Sequence, residues 1–139
     1  MKKNKLGFLA GNFDVIHPGY VQMFKDAKSV CDTLVVGLHV DPSEENPDKL
    51  KPILSGQERY DLLLSLRYVD EVHLYWTELD LVDLLEKISP DIRILGTDYI
   101  GRGFTGDHLS IPIHYHERNH RWSTTKFKKA IAKSLIDKL

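Results

Sequence analysis

Cysteine is all but missing from this chain; Cys31 is the only one. An intramolecular disulfide is therefore excluded, which fits a reducing compartment such as the cytoplasm. Cys31 reads as a small buried hydrophobe. Long apolar runs are missing too, and no segment approaches the roughly 18 residues of a membrane-spanning helix. The basic start "MKKNK" precedes an apolar run too short for a signal-peptide core, and Asn12 and Asp14 interrupt it. Neither sign of charge is in excess, with 19 Lys and Arg against 20 Asp and Glu. A net charge of −1 offers no broad surface for nucleic acid or a membrane. Repeats, low-complexity tracts and long linkers are absent as well. What is present is 42% apolar and 28% charged residues in a 139-residue chain. That predicts one domain over 1–139, large enough to build a core without a disulfide or metal staple.

Short apolar runs alternate with amphipathic segments. "LGFLA" (6–10), "TLVVGLHV" (33–40), "EVHLY" (71–75), "DIRILG" (91–96) and "IPIHYH" (111–116) read as five strands. Pro112 places the last at an edge or at a strand start. Between them, Tyr20, Met23, Phe24, Ala27 and Val30 recur at helical spacing, after a Pro18 suited to a first turn. Ser55 and Glu58 form a capping box before "RYDLLLSLRY". "ELDLVDLLEKI" (78–88) is a third helix. "STTKFKKAIAKSLIDKL" (123–139) is a fourth, with Phe127, Ala130, Ile131 and Leu135 on one face. "DPSEENPDKLKP" (41–52) is a charged, proline-containing loop, read as mobile, and "GRGFTGDH" (101–108) a glycine-rich one. The alternation predicts an α/β, Rossmann-like fold, with a mostly parallel five-stranded sheet and helices on both faces. Ligands then bind beyond the carboxyl ends of the strands, at 11–17, 39–54, 75–77, 96–107 and 117–124.

The first of those ends carries "GNFDVIHPGY" (11–20). Gly11 permits an unusual turn and close approach of a ligand. A helix starting near Pro18 aims free N–H groups at the strand end, where an anion is welcome, and His17 stands there. Read alone, His17 is more often a satisfied surface or cap residue than a ligand contact. Arg59 and Arg67 fall on nearly one helix face, and Arg67 has Asp70 and Glu71 as possible partners. Arg118 and Arg121 precede a Ser-Thr-Thr helix start, where Ser123 is a cap in any event and the group together is a phosphate cradle.

"GNFDVIHPGY", "ERYDLLLSLRYVDEV", "GTDY" and "RNHRWSTT" together resemble the cytidylyltransferases of the H-x-G-H nucleotidyltransferase superfamily, most nearly the glycerol-3-phosphate cytidylyltransferases. The likeness runs from Leu6 to about Ile131. It implies transfer of CMP from CTP to a small phosphorylated alcohol, with attack on the α-phosphorus and loss of pyrophosphate. The resemblance gives His17, Tyr20 and Arg118 the catalytic positions. Gly11, Asn12, Phe13, Gly19, Asp98, Arg118, Ser123 and Thr124 fall on the nucleotide. Lys49, Lys51, Arg59 and Arg67 fall on the phosphorylated substrate. Mg²⁺ is expected with the triphosphate, held by phosphate oxygens with few protein ligands, and Asp14 either reaches it through water or caps the turn. Relatives of this size are typically homodimers that meet at the "RYVDEV" segment. His108, His114, His116 and His120 have no third ligand with clear spacing, so no protein-held metal centre is expected.

Tyr20 departs from the motif, whose second histidine belongs there. A phenol donates a hydrogen bond but carries no positive charge. Three accounts stand open: a neutral donor aided by His120 or Arg121, a slow enzyme or a different acceptor, or a site that binds without transfer. An adenylyltransferase resembling the heptose-phosphate or flavin-nucleotide enzymes is the alternative activity. A nucleotide-binding module is the alternative class.

Overall fold

The computed structural model describes residues 4–139; the first three residues of "MKKNK" lie outside the described residues. Five strands form one sheet: β1 (Leu6–Gly11), β2 (Thr33–His39), β3 (Glu71–Tyr75), β4 (Ile92–Gly96) and β5 (Ile113–His116). Their order is β3-β2-β1-β4-β5 and every pairing is parallel. The expected Rossmann-like architecture is therefore present. β5 is an edge strand with Pro112 just before it, so the missing N–H costs no ladder bond.

The helices are α1 (Pro18–Ser29), α2 (Gly56–Ser65), α3 (Glu78–Ile88) and α4 (Thr124–Ile136). They cover both faces, and the strands alternate accordingly. Leu9, Leu34, Val36 and Ile94 join Phe24, Ala27 and Leu63 in one core. Phe8, Val35 and Tyr75 join Leu81 and Leu85 in the other. Ser55 and Glu58 cap α2 reciprocally as expected, and Thr77 with Asp80 does the same for α3. α4 differs from expectation. Its apolar stripe buries nothing fully; Ile131 and Leu135 are 41% and 48% exposed. Cys31 is half-buried rather than buried, and its thiol donates to the Ala27 carbonyl.

The sheet places its site by topology. β1 connects to β2 on one side, and β4 lies against its other side. Crossovers leave in opposite directions there, which opens a crevice over the ends of β1 and β4.

Candidate active site

Two helix starts converge on that crevice. α1 and α4 both begin at it, and Gly19, Ser123, Thr124 and Thr125 all line it. The cleft encloses about 670 Å³, the size of a nucleotide-scale site.

His17 is the N-cap of α1, and its Nδ1 accepts the Gly19 N–H at 3.1 Å. That bond puts the proton of the neutral imidazole on Nε2. Nε2 lies 3.4 Å from Thr124 Oγ1, which the Tyr20 hydroxyl also meets, at 2.5 Å. The three side chains thus form one relay between α1 and α4. Burial holds the His17 pKa below its usual value, and the charges of His120 and Arg118 push the same way. A helix N-terminus also disfavours an added positive charge. Tyr20 stacks on His17 with ring centroids 4.1 Å apart and meets Phe13 edge-on. Burial raises its pKa, and the Thr124 hydrogen bond only partly opposes this. Tyr20 is therefore both a residue of the α1 core stripe and a neutral phenol at the cleft.

The other nucleotide candidates are brought together with these. Gly11, Asn12, Phe13, Asp98, Arg118, Ser123 and Thr124 line the same cleft. Gly11 serves differently from expectation. A Cβ there would lie 2.9 Å from Phe13 Cζ, so the close approach it permits is to a ring of this chain. Phe13 holds a positive φ of 46° while buried, which fixes the turn between β1 and α1. At Gly19 a Cβ would sit 2.5 Å from His120 Cε1 and 2.9 Å from Trp122 Cβ, so the segment after β5 closes over the start of α1. Ser123 caps α4 by accepting the Lys126 N–H at 3.1 Å. Arg118 is exposed at the rim.

The four substrate candidates separate. Lys49 lines the cleft; Lys51 is exposed beside it and does not. Arg59 is 1% exposed and is not among the residues that line the cleft. Its guanidinium donates to the carbonyls of Leu54, Ser55, Asn12, His39 and Val40. These bonds use four of its five N–H groups, the Nε–H being shared between Leu54 and Ser55, and at 1% exposure the side chain serves to tie the start of α2 to the ends of β1 and β2. Arg67 stacks on Tyr68 and donates to its hydroxyl, beside a separate hollow that includes Val21 and Leu66. Asp70 is taken by Lys28 and the Leu34 N–H rather than by Arg67.

Asp14 is fully buried and accepts the N–H groups of Ile53 and Leu54 at 2.8 and 2.9 Å. Lys128 of α4 also reaches it, at 2.5 Å. These three contacts tie down the residues just after loop 41–52, the loop expected to be mobile, and show Asp14 holding the turn together. Among the described residues, the metal-ligating groups of His39, Glu45 and Glu78 converge within 4.8 Å of one another. The first pair weighed as ligands, His114 and His116, does share a strand face, but both rings bond Asp26.

Sequence reasoning named the strand ends that hold His39, Tyr75, Phe104 and Thr105 without singling out those side chains, and it left Glu78 and Arg93 outside them. All six line the cleft on the α3 side. Arg93 donates to the Thr105 carbonyl and lies over the Phe104 ring, which holds loop 101–108 in place. Its Nε is buried without a partner. Only the alternation of β4, which turns Arg93 toward the α3 side with its neighbours, could have signalled it.

A cleft built over the ends of β1 and β4, with two helix starts, a neutral histidine donor and a rim arginine, is suited to a polyphosphate. The profile of the family described as cytidylyltransferase-like matches residues 8–130. The chain belongs to this family. As a family member it is a nucleotidyltransferase. The bifunctional protein HldE of Hyphomonas neptunium is 38% identical over 103 residues, which is 73% of this chain and 21% of that protein. The HldE of Helicobacter pylori is 31% identical over 139 residues, or 99% of this chain and 30% of that protein. The chain thus spans less than a third of the length of these relatives. Among solved structures, a lipopolysaccharide core biosynthesis protein from Thermoplasma volcanium superposes with a TM-score of 0.67 at 26% identity, covering 85% of this chain and 98% of that one. Pantoate-beta-alanine ligase from Francisella tularensis, at 18% identity and a TM-score of 0.60 over 94% of this chain and 70% of that one, shares the fold.

Proposed function

We propose that this nucleotidyltransferase activates a phosphorylated sugar, taking the nucleotidyl group from ATP and releasing pyrophosphate. The observation that carries the transfer chemistry is the shared relay of His17, Tyr20 and Thr124 between the two helix starts. The HldE relatives fall on the side of the heptose-phosphate adenylyltransferases, the alternative named above, rather than on that of the glycerol-3-phosphate enzymes. The lipopolysaccharide core protein points the same way, since a polysaccharide is built from activated sugars.

In this reading the triphosphate lies over the start of α1, with Arg118 and the N–H groups of Thr124 and Thr125 on its phosphates. Mg²⁺ comes with the nucleotide and adds charge neutralisation on the phosphate oxygens. The acceptor phosphate enters from the α3 side past Lys49. One of its oxygens forms a bond to the α-phosphorus, and the bond from that phosphorus to the bridging oxygen of pyrophosphate breaks. No side-chain nucleophile is needed, so the protein contributes alignment and electrostatic stabilisation. Nε2–H of His17 donates to the developing charge, and the Tyr20 phenol acts through Thr124 as a neutral donor in place of the motif's second histidine. The polypeptide is proposed to work in the cytoplasm, as a homodimer meeting near Arg67 and Tyr68.

Pyrophosphate release tests this, with ATP and CTP each offered sugar 1-phosphates, sugar 7-phosphates and glycerol 3-phosphate. ATP with a sugar phosphate is the expected pair. Turnover confined to CTP and glycerol 3-phosphate refutes the sugar reading and restores the cytidylyl one. Nucleotide binding without any turnover leaves a binding module.

A further inference from the structure

His116 ends β5 at the cleft, 6% exposed, on a lining it shares with Met23, Gly96, His120 and Trp122. Its Nδ1 lies 2.8 Å from Asp26 Oδ2 on α1. Burial opposes charge on Asp26, yet the hydrogen bonds from His116 and His114 outweigh it and hold the carboxyl below the usual range. An ionised carboxylate only accepts, so the proton of the neutral His116 ring sits on Nδ1. Nε2 is then a bare acceptor. It is buried and has no partner in the protein.

Buried polar atoms are nearly always satisfied, so an exception beside a ligand cleft marks a place for a donor from outside. The position narrows what that donor is. The two helix starts claim the phosphates over the end of β1, and His116 ends β5 two strands along the sheet, paired with Gly96 of β4 and with the His120 ring 6.5 Å from its own. A nucleobase held there presents its polar edge to Nε2. At C6 of the purine or C4 of the pyrimidine, adenine and cytosine carry an amino group where guanine and uracil carry a carbonyl oxygen; the amino group of guanine lies at C2 instead.

We propose that His116, oriented by Asp26, reads the nucleobase by accepting a hydrogen bond from the amino group at C6 of adenine or C4 of cytosine, the position where guanine and uracil hold a carbonyl oxygen. The site then takes adenine or cytosine nucleotides and rejects guanine and uracil ones. This rests on the nucleotidyl-transfer reading above and adds the residue that sets its base preference. Asp26 is a positioning residue: its contact fixes which ring nitrogen accepts.

Calorimetric titration of the full chain with Mg²⁺ at pH 7.5 tests it. ATP is compared with purine riboside triphosphate, which lacks only the amino group, and CTP with UTP. ATP and CTP are expected to bind ~10–100-fold more tightly than their counterparts. His116→Leu should bring both ratios to about 1, and Asp26→Asn should bring them part of the way, with apo melting curves confirming that each variant is folded. Equal wild-type affinity for ATP and purine riboside triphosphate overturns the assignment without any variant. A His116→Leu protein that keeps the full ratio also overturns it. If the wild type binds none of the four natural triphosphates, the nucleotidyl-transfer reading fails and takes this one with it. Binding without discrimination removes only the role of His116.

Discussion

Replacing Arg59 with leucine separates a scaffold residue from a substrate ligand. The guanidinium joins three parts of the chain, through Asn12 after β1, His39 and Val40 at the end of β2, and Leu54 and Ser55 before α2. Four of these bonds measure 3.1, 3.3, 3.0 and 2.8 Å, and the fifth, to Val40, 2.5 Å. A hydrogen bond to a charged group nets roughly 1.5–3 kcal/mol. Five of them cannot simply be added, because the whole domain is stable by only about 5–15 kcal/mol and the loops relax. Removing one partner of a buried charged network costs ~3–5 kcal/mol, and that range is the expected destabilisation. For a chain of this length it corresponds to a fall in Tm of about 10–15 °C. Thermal and urea unfolding measure it, and KM for the sugar phosphate in the surviving folded fraction is the control. Arg59→Lys should recover less than half, since one ammonium cannot reach carbonyls spread around a planar fork. A Tm within ~2 °C of wild type, together with a large rise in acceptor KM, would refute the reasoning and return Arg59 to the substrate.

Three further outcomes follow from the site. Tyr20→Phe keeps the ring against His17 and Phe13 but removes the bond to Thr124, so kcat should fall ~10–100-fold in the pyrophosphate assay with nucleotide KM little changed; an unchanged kcat would make Tyr20 a core residue alone. Gly19→Ala drives a methyl into His120 and Trp122, so nucleotide affinity by titration should drop at least ~10-fold while stability shifts by under ~1 kcal/mol. Asp14, Asp26 and Asp70 all have lowered pKa values; burial alone would raise each, and their hydrogen bonds and cationic neighbours prevail. Their stabilisation is complete above the unfolded carboxyl value near 4 and is lost as pH falls through the lower folded values. Urea midpoints should therefore decline below about pH 4, and Asp14→Asn should flatten that decline.

His17 titrates with the opposite charge sense but the same pH direction. Its folded pKa lies below the unfolded value near 6.5, so the unfolded chain binds the extra proton first and stability rises with pH through that window. The cause is packing between Tyr20, Trp122 and Phe127, of which only Tyr20 belongs to the "HPGY" stretch; the other two come from the far end of the chain.

The sequence by itself determined the elements and their order. Alternating strands and amphipathic helices, the Ser55 capping box, Pro18 at a helix start and Pro112 at a strand start are local signals. Neighbours along the chain settle them, and helix and strand periods record which side faces the core. It also determined that His17 and the Ser123 turn lie at strand ends, because parallel sheets put those ends on one rim. Tertiary structure alone decided which polar groups remain free to act. Arg59 and Asp14 look like ligand residues by type and position, yet both are buried, and carbonyls, amides and Lys128 from distant segments hold them in the scaffold. His116 looks like an ordinary strand residue, yet Asp26 claims one ring nitrogen and leaves the other open. A side chain's chemistry is read from its own identity; its availability depends on partners tens of residues away, which only the folded chain brings within bonding distance.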